Sequence, residues 1–230
     1  MEVKLDKIII CEGTNDAWFI DETIKKNGGN SKIVEDFEEF QEIIRTLSRG
    51  KPVGDPNPTY FILPLNPDYK DEIYKIVAEQ IPHLRPLVEK FRNIRSIIVV
   101  DKNGEDEGEI AKKLIEEMER FINERFKGYR PSLTSLGHGA VVEFKGNAIV
   151  YNLYAIPNSL EIEIFKKFKK IKKFNKYIKK ITNPDRAIFI ICGKFYNCEK
   201  EKLFRSSVEL FQNEGWFKAL INLISELKER

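Results

Sequence analysis

Ile8-Ile9-Ile10-Cys11 is too short for a helix and too uniformly apolar for a strand with one wet face. A run of this kind is buried on both sides, which is the condition of a strand inside a parallel sheet covered by helices. Similar runs recur at Ile97-Ile98-Val99-Val100 and from Ala187 to Cys192, the last ended by Gly193. Between them lie segments with helical spacing. One runs from Asn15 to Lys26 and stops at Gly28-Gly29, a natural C-cap. A second starts at Asp36 and carries Phe40, Ile43, Ile44 and Leu47. A third, from Asp106 to Phe126, has Ile110, Leu114, Ile115, Met118, Phe121 and Ile122 on one face. The alternation predicts an α/β fold: a mostly parallel central sheet flanked by helices on both faces.

The remaining segments read as additions to that frame. Ser31 to Val34 and Tyr60 to Leu63 are short strands, the second stopped by Pro64 and Pro67. Lys51 to Pro58 is a Pro- and Gly-containing loop, and Asp71 to Phe91 holds one or two helices broken at Pro82 and Pro86. Residues 51–95 are therefore an elaboration. His138 to Phe144 and Ala148 to Leu153 flank Lys145-Gly146-Asn147, a β-hairpin signal. Helical additions close the chain: a basic helix over about 159–181 capped by Ser159, then Glu199 to Phe211 and Trp216 to Lys228. No internal repeat or long linker divides the 230 residues, which read as a single domain, 1–230.

Composition narrows the setting. Charged residues make up 33% of the chain, dominated by Lys and Glu, a mix that resembles thermophile proteins. Cys11, Cys192 and Cys198 cannot all pair, and free thiols in a reducing cytosol are the expectation. With only His83 and His138, a His-rich metal site is excluded. No signal peptide precedes the first strand and no apolar run reaches the roughly 20 residues of a membrane span. A cytoplasmic protein without membrane attachment is expected.

Right-handed crossovers place the carboxyl ends of parallel strands on one edge, where open α/β sheets bind ligands. That rim should gather Glu12, Asp101, the loop after Pro157 and Gly193-Lys194. Carboxylates without His or Cys suit a hard cation, Mg²⁺ or Mn²⁺, with oxygen ligands and room for a phosphate. The loop from Asp101 to Glu107 is dense in such oxygens. Glu12, held at a strand end and partly desolvated, suits general acid or base work.

Glu12-Gly13-x-x-Asp16 after an apolar strand resembles the first motif of Toprim domains, found in topoisomerases, bacterial-type primases, overcoming-lysogenization-defect nucleases and small ribosomal-RNA maturases. Asp101-Lys102-Asn103 occupies the place of the second motif, Asp-x-Asp. Tyr154-Ala155-Ile156-Pro157-Asn158-Ser159-Leu160-Glu161 resembles a segment of an uncharacterised, mostly prokaryotic Toprim-like family. The resemblance implies Glu12 as general acid/base, Asp16 as accessory acid and Asp101 as metal ligand beside Glu12. Asn103 departs from the motif, retaining a carbonyl oxygen but losing a charge that Asp106 or Glu105 can replace.

Structural explanations stand beside these. Asp16 favours the first turn of any helix, and so do Glu105, Asp106, Glu107 and Glu161 at theirs. Asp101 can simply open a turn before Gly104. The segment Phe165 to Lys180 traces an apolar stripe of Ile164, Phe168, Ile171, Ile178 and Ile181, with Phe174 or Asn175 between. Lys166, Lys167, Lys169, Lys170, Lys172, Lys173 and Lys176 cover most of the remainder. That face suits nucleic-acid phosphates without base choice; a solvated face and an anionic membrane surface are the alternatives. Lys194 is a further phosphate candidate. The expectation is an Mg²⁺-binding, nuclease-like protein acting on nucleic-acid phosphodiesters, as a homodimer or complex subunit. The alternatives are a non-catalytic nucleic-acid-binding or scaffold subunit and a small-molecule phosphohydrolase.

Overall fold

A computed structural model describes residues 7–54, 58–67, 72–91, 93–127 and 131–227. The loop assignment at 55–57, the helix start at Asp71 and the helix end at Lys228 lie outside the described residues. The chain runs β1 (Lys7–Cys11), α1 (Thr14–Lys26), β2 (Ser31–Ile33), α2 (Phe37–Ser48), β3 (Tyr60–Pro64), α3 (Glu72–Glu79), α4 (Ile81–Phe91) and β4 (Asn93–Asp101). It continues through α5 (Glu107–Arg125), β5 (Ser132–Leu136), β6 (Gly139–Phe144), β7 (Asn147–Ile156), α6 (Leu160–Lys170) and α7 (Lys172–Ile178). It ends with α8 (Pro184–Phe195), α9 (Lys200–Ser207), a 3-10 turn at Val208–Phe211 and α10 (Gly215–Glu226).

The strands form a seven-stranded sheet in the order β2-β3-β1-β4-β7-β6-β5. The first five in that order run parallel, and β6 and β5 add an antiparallel edge. The α/β expectation therefore holds. β1 is the middle strand of the parallel five and shows why its sequence is apolar throughout. Ile8 and Ile10 pack into the core under α2 to α5, while Ile9 and Cys11 pack into the core under α1 and α6 to α10. β4 divides the same way, with Ile98 and Val100 on one side and Ile97 and Val99 on the other.

The capping signals are used as read. Asp36 accepts from Glu39 N at 2.8 Å, and Asp106 accepts from Gly108 N at 2.8 Å. The β6–β7 hairpin turns through Lys145 and Gly146, both at positive φ, as a two-residue turn between twisted strands requires. Gly139 has no alternative there, since a Cβ would stand 2.0 Å from the Tyr151 carbonyl oxygen.

Four expectations are corrected. Ala187 to Cys192 is not a strand but part of α8: Ala187, Ile188, Ile191 and Cys192 are buried while Phe189 is 69% exposed, a helical spacing. Gly193 and Lys194 accordingly belong to the last turn of α8 and not to a strand-end loop. The basic stretch is two helices rather than one. The chain breaks at Ile171, which lets Phe168 and Phe174 meet in the core with ring centroids 4.7 Å apart. A continuous helix would turn residues six apart to different faces. The elaboration between β3 and β4 breaks between Glu79 and Ile81; Pro82 sits in the first turn of α4 and Pro86 is carried inside it. Strand β5, polar and mostly exposed, extends the hairpin by one strand that the apolar pattern does not announce.

Candidate functional site

The parallel strands do bring their carboxyl ends to one rim, and four segments meet there. β1 runs into Glu12 and Gly13, with Gly13 as the N-cap of α1. The segment after β3 follows alongside, its Leu65 and Asn66 N–H groups donating to the carbonyls of Cys11 and Glu12 at 3.0 and 2.7 Å. Asn66 adopts φ +46, which turns its side chain back. Its Oδ1 accepts from the Thr14 backbone N–H and hydroxyl, both at 3.1 Å. It thereby satisfies an orphan donor at the start of α1.

Glu12 crosses to the neighbouring strand. Its Oε1 accepts from the backbone N–H of Asp101, the last residue of β4, at 2.8 Å. Glu12 and Asp101 are both half-buried. Asp16, one turn into α1, reaches back to the Gly13 N–H at 3.0 Å and is itself buried. Burial first, then the charges of Glu161 and Glu12, push its carboxyl up to about 8, against the lowering effect of the Gly13 N–H. Its proton is therefore held at neutral pH. The Cys11 thiol is pushed up by burial and by Asp16 and Glu12, so it is an inert packing group. Glu161, in the first turn of α6, accepts from Asn15 Nδ2 at 2.9 Å and ties α6 to α1. Ser159 caps α6 as read, accepting from Ile162 N at 3.2 Å.

The structure thus gathers Glu12, Asp16, Asp101 and Glu161 at one edge. It uses the remaining candidates differently. Asn103 and Gly104 take φ of +45 and +86 in a turn closed by Glu105 N on the Lys102 carbonyl at 2.8 Å. Asn tolerates that left-handed conformation well, which accounts for its choice, and it is exposed. Asp106 is the exposed N-cap of α5. Glu105 pairs with Lys113 at 3.1 Å, and Glu107 with Lys102 at 3.5 Å. Among the described residues, no three His, Cys, Asp or Glu side chains are placed to hold a metal ion. The donor set does not fit an all-protein cage. A hard cation there would be taken through one or two carboxylates, with water and other oxygen ligands completing its shell. Asn66, through Thr14, and the Asn15–Glu161 tie are contacts at this edge that the sequence pattern does not single out.

The lysine face divides into paired and unpaired parts. Lys166 pairs with Glu163 at 2.8 Å, and Lys167 with Glu214. Lys169 lies over the Phe165 ring at 4.6 Å, and Lys173 over Phe195 at 4.7 Å. Lys176 and Lys194 flank the Tyr177 ring from α7 and α8, at 4.7 and 4.8 Å from its centroid. Lys176, by its hydrogen bond first, lowers the exposed Tyr177 hydroxyl below its usual value. Lys170 and Lys172 are exposed. Helix α6 starts at the acidic rim and carries its lysines away from it at roughly 1.5 Å per residue.

Cys11 and Cys192 are buried and Cys198 exposed, all as free thiols. Among the described residues, no helix is long and apolar enough to cross a membrane. No family model matches the chain, and no curated protein matches it. The crystal structure of hypothetical protein PH0156 from Pyrococcus horikoshii OT3 resembles it with a TM-score of 0.53 at 16% identity, over 98% of each chain. That likeness is one of fold.

Proposed function

We propose that this chain is a Toprim-like protein whose strand-end carboxylates engage Mg²⁺ or Mn²⁺ together with a nucleic-acid phosphodiester. One observation carries the reading: Glu12 and Asp101 come from positions 89 apart and meet at adjacent strand ends, with Glu12 Oε1 2.8 Å from Asp101 N. The charges of Glu161 and Glu12 around the buried Asp16 support it, because crowded carboxylates favour either a proton or a cation among them. Bound Mg²⁺ supplies neutralisation of phosphate charge. Glu12 is fixed by the Asp101 N–H in a position to move a proton, and Asp16 holds one at neutral pH. The lysines of α6 to α8 supply non-specific attraction for the phosphate backbone.

Binding without turnover is the second reading, and Asn103 favours it: the motif's second acid is replaced by a residue chosen for a left-handed turn. One experiment separates the two. Mn²⁺ is titrated calorimetrically into wild type and Asp101→Ala, with parallel cleavage assays on single- and double-stranded DNA and RNA. The enzyme reading expects metal-dependent cleavage and a loss of Mn²⁺ affinity of about tenfold or more in the variant. Mn²⁺ and nucleic-acid binding without cleavage selects the second reading. No metal-dependent change in stability or cleavage ends both as metal proteins.

A further inference from the structure

The chain that leaves α8 folds back on the end of that helix. A helix continued straight from Cys192 would carry position 198 about 9 Å along its axis. Instead the Cys192 carbonyl accepts from two N–H groups, those of Tyr196 at 2.9 Å and Cys198 at 3.1 Å. By backbone bond lengths, the second contact holds the two Cα atoms within about 7 Å of each other. Disulfide-bonded cysteines have Cα atoms about 4.4 to 6.8 Å apart. The Cys198 sulfur lies over the same turn, 3.8 Å from where a Cβ on Gly193 would stand. The two thiols also sense each other: burial raises Cys192 first, and the Cys198 charge raises it next. The return strains the backbone, with Asn197 and Cys198 at φ of +52 and +64. Asn adopts the left-handed region readily, and Cys rarely does. Such strain persists only where the surroundings fix it, and it gathers at functional segments. Exposure differs across the pair: Cys198 is exposed, whereas Cys192 is only 3% exposed. An oxidant in solution therefore meets Cys198 first, with Cys192 beneath it.

We propose that Cys198 and Cys192 form a peroxide-reactive pair, in which Cys198 is oxidised at the surface and Cys192 resolves it to a disulfide within the chain. The Cys198 thiolate attacks hydrogen peroxide, breaking the O–O bond and releasing hydroxide, and its sulfur becomes a sulfenic acid. The Cys192 sulfur then attacks the Cys198 sulfur. The S–S bond forms, the S–O bond breaks, and the hydroxyl leaves with the Cys192 proton as water. A small thiol reductant restores both thiols by exchange. The disulfide ties residues 195–197 to the last turn of α8. Lys194, which stands over the Tyr177 ring at 4.8 Å, lies inside the closed ring. The pair is independent of the acidic rim and of any metal bound there.

Trypsin makes the test direct, because cleavage after Lys194 puts the two cysteines in separate peptides, 187–194 and 195–200. Folded wild type is treated with hydrogen peroxide at neutral pH, blocked with N-ethylmaleimide, digested and weighed by mass spectrometry. The expected product is the two peptides joined, at the sum of their masses less two hydrogens, and separated again by dithiothreitol. Cys192→Ser should instead leave Cys198 as a sulfenic acid that dimedone traps. Cys198→Ser, at an exposed position, should lower the oxidation of Cys192 at least about tenfold, because the buried thiol then lacks its surface partner. Four results overturn the proposal in wild type alone. They are a sulfinic Cys198 beside a free Cys192, Cys198 disulfides between chains in place of the internal link, a linkage that appears only after unfolding in urea, and a Cys198 still blocked by N-ethylmaleimide after peroxide that consumes an equal concentration of glutathione. The readout needs neither metal nor nucleic acid, so it stands or falls apart from the phosphodiester reading.

Discussion

Replacing Asp16 with Asn should flatten the dependence of stability on pH, and the size of the effect follows from the burial of this carboxyl. In the folded protein it titrates at about 8, against about 3.9 in an unfolded chain. Between those values the folded state holds a proton that the unfolded state has released. The contribution is therefore fully present in acid and is lost as pH rises from about 4 to about 8. The slope in that window is about 1.4 kcal/mol per pH unit. From about pH 5 to about pH 7, wild type should lose roughly 3 kcal/mol relative to the variant. Asn preserves the shape of the protonated acid, and its Oδ1 can still accept from the Gly13 N–H, so the comparison isolates the charge. Urea unfolding at a series of pH values, with a constant m-value as the check on two-state behaviour, measures the difference. Parallel stability profiles for the two proteins would refute the account of Asp16 as a buried acid crowded by Glu161 and Glu12. A divalent cation beside Glu12 favours the charged form of Asp16, so added Mg²⁺ should shrink the difference.

Two further outcomes can be stated. Arg205→Met removes the guanidinium that, with Lys25 at 2.8 Å and Ser31 at 2.5 Å, surrounds the buried carboxylate of Asp21. Removing one of its three partners, with Lys25 and Ser31 left to compensate the charge, should cost about 1.5 to 3 kcal/mol at neutral pH by denaturant unfolding. Burial raises the Asp21 carboxyl, but the hydrogen bonds from Lys25, Ser31 and Arg205 outweigh it and hold the group below its usual value. The stabilisation is thus present above about pH 4 and lost as pH falls through the folded value, so the two proteins should converge in acid; equal stability at neutral pH would refute the pairing. On the lysine face, Lys172→Gln, Lys173→Gln and Lys176→Gln together should weaken nucleic-acid binding measured by fluorescence anisotropy. The slope of log affinity against log salt should fall by roughly 2 to 3, and an unchanged slope would remove that face from the interface.

Particular residues show what the sequence reveals and what it hides. β1 and β4 are legible because both of their faces are buried, which leaves no polar residue to interrupt the run. α8 misleads for the same reason: Ala187 to Cys192 is apolar on its exposed side as well, where Phe189 stands in solvent. The deciding signal was nonetheless present, since Asn183 accepts from Arg186 N at 2.8 Å and Pro184 occupies the first turn, an ordinary helix start. β5 is hidden because an exposed edge strand needs no apolar alternation. In the site, the acids at the ends of β1 and β4 are legible from their place after apolar runs. The ties of Asn66 to Thr14 and of Glu161 to Asn15 are not, because they join positions 52 and 146 apart. The division of the lysine stretch is equally invisible, because it serves a ring contact in the core and carries no Gly or Pro to mark it.

The position of β1 has a kinetic meaning. Its two partners in the sheet are β3 and β4, so the pairs Ile9–Ile62 and Ile9–Ile97 must close long stretches of chain before the centre of the sheet exists. Pairings of this separation pay their loop entropy before any contact rewards it, and they slow folding. Glu12 reaches Asp101 only across the completed β1–β4 pair. On a nascent or partly folded chain the two acids are independent side chains with no shared ligand chemistry. The site thus comes into being together with the middle of the molecule, and ligand binding at Glu12 and Asp101 would report completed folding of the central sheet as directly as any measure of its hydrogen bonds.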